Sequence, residues 1–250
     1  MQVFWTLVRR EVGAQFFSWA GYVVIAVVLF LLGLSSVDLL QRLNKEAIDQ
    51  PLTGVFYSTW YIWLILLLAA PVITMRSFAF EKSSGTYETL MTTPVSDLQV
   101  VLAKFTGAMA FYALMCLPML SWLFVARPFS SGSTALDGGM IASTFLGILL
   151  WGSLYMSLGC LASACTRSQI IAVIVSVAAG VSLFLVSYIS TAVAPQTGWQ
   201  AQIVSHVGLI EHMGDFARGV VDTRPLVFYL SFTILFLFLT LKVVESRRWK

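Results

Sequence analysis

An all-α integral membrane protein with six transmembrane helices is the fold class that the sequence predicts, and three observations carry it. Charged residues make up 11% of the chain, against about 25% in an ordinary soluble domain. Apolar windows recur at 21–40, 57–76, 100–126, 139–164, 170–194 and 226–244. Each is near the ~20 residues needed to cross a hydrocarbon layer of about 30 Å. The polar connections between windows carry helix-ending and helix-starting signals. No periodic repeat, low-complexity tract or separate soluble domain interrupts the pattern, so residues 1–250 read as one membrane domain.

The first segment, residues 1–19, is too polar to cross, yet Val3, Phe4, Leu7, Val8, Val12 and Phe16 fall near helical spacing. It is predicted to form an interfacial helix along the inner membrane surface, with Arg9, Arg10 and Glu11 facing headgroups or a partner. The Arg9-Arg10 pair lacks the hydrophobic continuation of a twin-arginine export signal. No small-residue cleavage site closes the first span, which is expected to remain as an anchor. Asp38, Ser35 and Ser36 lie near the end of that span.

The second and third spans are joined by Glu81-Lys82-Ser83-Ser84-Gly85-Thr86-Tyr87-Glu88-Thr89-Leu90-Met91-Thr92-Thr93-Pro94-Val95-Ser96. Gly85 and the two serines before it should end the preceding helix, and Thr86 can cap a new one with Glu88 in its first turn. Pro94 closes that helix, because proline disfavours the α conformation at Thr93. Ser96 and Gln99 have capping-box spacing and should start the next helix, which runs directly into the apolar segment 100–125. What remains is a short cytoplasmic helix over 85–94, about two turns and roughly 12 Å long. Tyr87, Leu90 and Met91 fall at i, i+3 and i+4 and make one apolar face, which in the cytosol calls for a protein partner. A helix lying flat on the membrane surface is the alternative.

Within the spans, Pro71 and Pro118 are placed to kink the second and third. Gly147, Gly152 and Gly159 allow close approach along the fourth, and Ser176 with Gly180 gives a small-xxx-small pair in the fifth. Cys116, Cys160 and Cys165 have neither disulfide nor metal spacing and read as small apolar side chains. The loop at 195–225 gathers His206, Glu211, His212, Asp215, Arg218, Asp222 and Arg224. It holds no metal motif, and histidines six apart on one helix point to nearly opposite sides. Apolar Ile203, Val204, Val207, Leu209, Ile210, Met213 and Phe216 alternate with the polar residues. The pattern predicts short re-entrant helices that dip into the outer leaflet before the last span.

Orientation follows from lysine and arginine, since positively charged short loops stay cytoplasmic. With both termini inside, Arg9, Arg10, Arg76, Lys82, Lys104, Arg167, Lys242, Arg247, Arg248 and Lys250 fall on that side. Only Arg42, Lys45, Arg127, Arg218 and Arg224 fall outside. Phe56, Tyr57, Trp60, Tyr61 and Trp63, and again Phe228 and Tyr229, are expected as aromatic belts at the outer interface. The net charge of +3 is topogenic, and no basic cluster with interleaved aromatics points to nucleic acid. Almost no ionisable residue sits near mid-bilayer, against an ion-driven carrier. No paired carboxylates, activated nucleophile or GxxxxGK[ST] loop points to an enzyme.

The stretch from Glu81 to Val95 resembles the coupling-helix signature of the ABC type-two exporter permeases. Glu81, Lys82, Gly85, Thr86, Glu88, Leu90, Pro94 and Val95 match it position by position. Residues 216–224, followed by Tyr229, Phe238-Leu239-Thr240 and Glu245-Ser246-Arg247-Arg248-Trp249, resemble the end of the gliding-motility-type branch of that family. The resemblance implies the permease subunit of an ATP-driven exporter in the bacterial inner membrane, assembled as a dimer with a second permease copy or paralogue. Two copies of a separate ABC ATPase subunit would bind ATP and Mg, with no cofactor in this chain. Contact with that ATPase is implied for Glu81, Lys82, Gly85, Thr86, Tyr87, Glu88, Leu90, Met91 and Pro94, and for Arg9 and Arg10 on an elbow helix. Phe216, Arg218, Gly219 and Asp222 would belong to an outer gate. The branch is also associated with a membrane-anchored periplasmic auxiliary subunit. A mechanical transducer that relays force to such a partner without moving solute shares every one of these motifs.

Overall fold

With no water in the hydrocarbon layer, backbone donors and acceptors must be satisfied within each crossing segment, and the apolar windows close into helices. The computed structural model describes residues 2–45, 52–86, 95–126, 138–193 and 208–246. Their elements are α1 (Gln2–Phe16), α2 (Trp19–Lys45), α3 (Leu52–Ser58), α4 (Trp60–Thr74) and α5 (Ala79–Ser84), then α6 (Asp97–Ala126), α7 (Gly138–Cys165), α8 (Gln169–Val193), α9 (Leu209–Ala217) and α10 (Thr223–Ser246). Among the described residues, six segments are long and apolar enough to cross a membrane: Trp19–Arg42, Trp60–Ser84, Asp97–Ser121, Gly138–Cys165, Gln169–Ile189 and Thr223–Ser246. Each overlaps one predicted window.

The boundaries obey local signals. Gly85 takes a left-handed φ of +75° and ends α5, a conformation that costs glycine little. Ser96 caps α6, its Oγ accepting from Gln99 N at 3.3 Å. At the end of the first window, Asp38 and Arg42 pair at 3.2 Å one turn apart, and α2 continues to Lys45. Neither proline ends its helix: Pro71 lies inside α4 and Pro118 inside α6. The break after α4 comes instead at residues 75–78, a turn with Met75 N on Pro71 O at 2.9 Å.

The fourth span is the axis of the bundle. α7 packs against α4, α6, α8, α9 and α10, and 72% of its crossing window is buried, with 67% and 56% for the second and third spans. The first, fifth and sixth bury only 22%, 28% and 22%, leaving broad apolar faces for lipid or another subunit. Small residues let the core close. A Cβ on Gly152 would stand 2.1 Å from the Tyr112 ring, and one on Gly147 would stand 2.9 Å from Phe216. Tyr155 stacks on Trp151 at 4.9 Å and donates to Gly180 O at 2.9 Å.

The expected aromatic belt at the start of the second span is not what forms. Residues 52–58 fold as a separate helix, and Thr59 interrupts the window, its Oγ1 bonded to Phe56 O at 2.7 Å and to Ser35 Oγ at 2.8 Å. That turn carries Phe56, Tyr57 and Trp63 into the core and leaves Trp60 exposed. Trp63 Nε1 donates to Tyr57 O at 2.9 Å, so its polar edge is satisfied internally. Tyr229 is likewise fully buried.

Candidate functional site

The route from the second span to residues 85–94 runs through a tightly braced corner. Where the chain turns at 75–78, backbone groups would be left open, and Ser163 near the end of α7 closes them. Its hydroxyl donates to Met75 O at 3.1 Å and accepts from Phe78 N at 3.1 Å and Ala79 N at 3.0 Å. Lys82 Nζ donates to Ala164 O, the next carbonyl on α7. One residue pair on the central span therefore holds both sides of the turn and the body of α5.

Beside this corner, α1 folds back onto α6. Gly107 makes the approach possible, since a Cβ there would meet Glu11 Cβ at 2.7 Å. Four charges then form a closed ring across three elements. Arg10 reaches Glu11 at 2.9 Å and Glu81 at 3.3 Å, while Lys104 reaches Glu11 at 3.2 Å and Glu81 at 2.9 Å. Lys104 is 2% exposed, the two glutamates 16% each and Arg10 50%. Lys104 also lies 5.3 Å from the centre of the Phe78 ring. Burial works against the Arg10 charge, but its bond to Glu11 and the fields of Glu11 and Glu81 raise its pKa above the ordinary value. Charges this sheltered persist only with good partners, because desolvation would otherwise outweigh their attraction.

Glu11, expected to face headgroups or a partner, turns inward to Lys104 and Arg10, while Arg9 is exposed. The reason is Lys104, which lies inside an otherwise apolar run and needs a counter-ion. Glu81 and Lys82 both serve contacts within the chain. Gly85 is the stop of α5, and the Thr86 hydroxyl turns back to Ser84 Oγ at 2.8 Å. Tyr87, Glu88, Leu90, Met91 and Pro94 lie outside the described residues. What the structure describes on either side is the end of α5 at Gly85 and the start of α6 at Ser96.

At the opposite end of α7, about 30 Å away at 1.5 Å per residue, a second cluster gathers the loop residues. Phe216 on α9 is buried against Gly147, and its carbonyl accepts from Ser143 Oγ at 2.6 Å. Thr53 Oγ1 donates to Ala217 O at 2.5 Å, joining α3 to α9. Gly219 takes a φ of +84° in the turn that follows. Asp222 caps α10, accepting from Arg224 N at 3.4 Å, and that backbone bond lowers its pKa. Arg218 and Asp222 are exposed. His212 packs its ring against Phe228 and Tyr229, with centroids 5.7 and 5.9 Å away, and His206 lies outside the described residues.

Ser163, Glu11 and Lys104 were not singled out as site residues from sequence. Lys104 had a readable signal, an ionisable group inside a span, whereas a serine in a run of small residues had none. A comparison with curated proteins gives no match. The family described as ABC-2 family transporter protein matches residues 17–248, a range that contains all six crossing segments and leaves out α1. With that match over nearly the whole chain, and six crossing helices arranged around α7, the protein belongs to the ABC-2 family of transporter membrane proteins.

Proposed function

We propose that this chain is the permease subunit of an ATP-driven exporter of the bacterial inner membrane, working as a dimer with two copies of a separate ABC ATPase. The observation that carries the reading is the ring of Arg10, Glu11, Glu81 and Lys104, which joins α1, α5 and α6 at the two ends of the 85–94 segment. A partner seated on the Tyr87, Leu90 and Met91 face would push on the connection between α5 and α6, two helices that the Glu81–Lys104 pair ties together. The Glu81–Lys104 bond makes α5 and the start of α6 move together, and Ser163 with Lys82 passes the motion to α7. Because α9 rests on the far part of α7 through Ser143 and Gly147, a tilt of that helix would reach the outer cluster, where re-entrant α9 would act as an external gate. Arg218 and Asp222 would face outward there. The gliding-motility-type resemblance adds a membrane-anchored periplasmic auxiliary subunit as a further partner. The aromatic interior favours a lipid-linked, amphipathic or peptide cargo.

The test is affinity purification in mild detergent, with ATP hydrolysis of the recovered complex compared between wild type and Leu90→Ala with Met91→Ala. The expected result is an ATPase whose binding or activity falls when that face is removed. Unchanged assembly and hydrolysis would overturn the reading. Dependence on the face without cargo movement in vesicles would favour the mechanical transducer instead.

A further inference from the structure

A cavity of about 490 Å³ lies between α1 and the turn that follows α4, lined by Arg10, Ala14, Arg76, Phe80, Glu81 and Lys104 among others. Its size is that of a small-ligand pocket, about 300–1,000 Å³. Its wall holds Arg10, Arg76 and Lys104 against Glu11 and Glu81, three cations to two carboxylates. The ring accounts for four of these charges. Arg76 is the remainder: among the described residues no carboxylate lies within ion-pair distance of it, and its partners are Ser18 Oγ and the Phe80 ring at 5.0 Å. A second group in the wall is also unsatisfied. Glu81 Oε2 is buried with no hydrogen-bond partner among the described residues, and a buried carboxylate oxygen calls for a donor.

The level of the cavity says what could supply both needs. Ser18, which holds Arg76, sits between Phe17 and Trp19, which are 90% and 89% exposed, and Trp5 on the same elbow is 64% exposed. Large aromatics laid bare at the end of a spanning helix mark the membrane interface, where headgroup phosphates lie. A guanidinium matches a phosphate with two parallel hydrogen bonds. We propose that this cavity binds the headgroup of a phosphatidylglycerol-type lipid, its phosphate on Arg76 and a headgroup hydroxyl on Glu81 Oε2. Such a lipid brings the one negative charge that balances the wall and the donor that the carboxylate lacks. Phosphatidylcholine carries the same phosphate, but its choline cation cancels the charge and it has no headgroup hydroxyl to donate.

The protein, purified and stripped of loosely held lipid, is incubated with phosphatidylglycerol or phosphatidylcholine and examined by native mass spectrometry. Wild type should retain phosphatidylglycerol and not phosphatidylcholine. Arg76→Gln should lower retention about tenfold, as for loss of a charge-assisted bond, and Arg76→Lys should restore much of it. Ala14→Trp, which fills the cavity and leaves Arg76 in place, should give the same loss, with lipid-free melting temperatures showing that each variant is folded. Equal retention of the two lipids, or wild-type retention by Arg76→Gln and Ala14→Trp, overturns the proposal. Binding of glycerol 3-phosphate in a protein that retains neither lipid would move the site to a soluble phosphate ester and overturn the lipid assignment.

Discussion

Lys104 shows how one residue can organise a membrane protein's polar end. A lysine that is 2% exposed pairs with both Glu11 and Glu81, and removing it leaves those two sheltered carboxylates with Arg10 as their one remaining cation in the ring. Lys104→Met is expected to destabilise the protein by about 3 to 5 kcal/mol. Arg10→Met, at a half-exposed position, should cost no more than about 1 kcal/mol. Unfolding in detergent, followed by circular dichroism, distinguishes the two. Adding Glu11→Gln and Glu81→Gln to Lys104→Met should recover part of the loss, because apolar or neutral replacement of a whole buried cluster is often tolerated. Equal effects of the two single changes would mean that the ring carries no sheltered charge. The carboxyl partners of Lys104 could not be chosen from sequence, since Glu11 lies 93 residues away on a helix whose polar face fits headgroups or a partner equally.

At the scale of the element, the corner between α4 and α5 depends on a hydroxyl borrowed from another helix. Ser163→Ala is expected to leave the amides of Phe78 and Ala79 without their acceptor, at about 1 to 3 kcal/mol for buried groups left open. Hydrogen exchange at those two amides should quicken while the centre of α7 stays protected, and unchanged exchange would show that the turn is held by other means. Helix limits were the most legible part of the fold. Gly85 and Ser96 act through their own backbone and side chain, so local sequence suffices to read them. Pro71 lies inside α4, and the break after that helix falls at 75–78, where α7 supplies the bonds that the turn lacks. The aromatic residues at 56–63 misled for a related reason. Their composition fits an interfacial belt, but Thr59 turns the chain there and tertiary packing takes Phe56, Tyr57 and Trp63 inward.

For the molecule as a whole, alternation of spans fixes which surfaces share a side. Cys165 is exposed at the end of α7 beside α5, and Asp222 lies at the other end of the bundle, capping α10. In sealed vesicles of known orientation, an impermeant thiol reagent should label Cys165 from the cytoplasmic face only. Asp222→Cys in a Cys165→Ser background should be labelled from the opposite face only, and labelling of both from one side would overturn the six-span topology. The sequence made the number of spans plain because each apolar window is long, but not their arrangement, since lipid-facing and core-facing residues are alike in composition. Which spans lie innermost emerges only from packing, where Gly147 and Gly152 admit Phe216 and Tyr112. The ring of four contacts has one more property at this scale. Because it is closed, opening any single link still leaves its four members connected through the other three. Two separate links, Arg10 to Glu81 and Glu11 to Lys104, therefore fasten α1 to its neighbours, so that loss of either leaves the helix moored by the other.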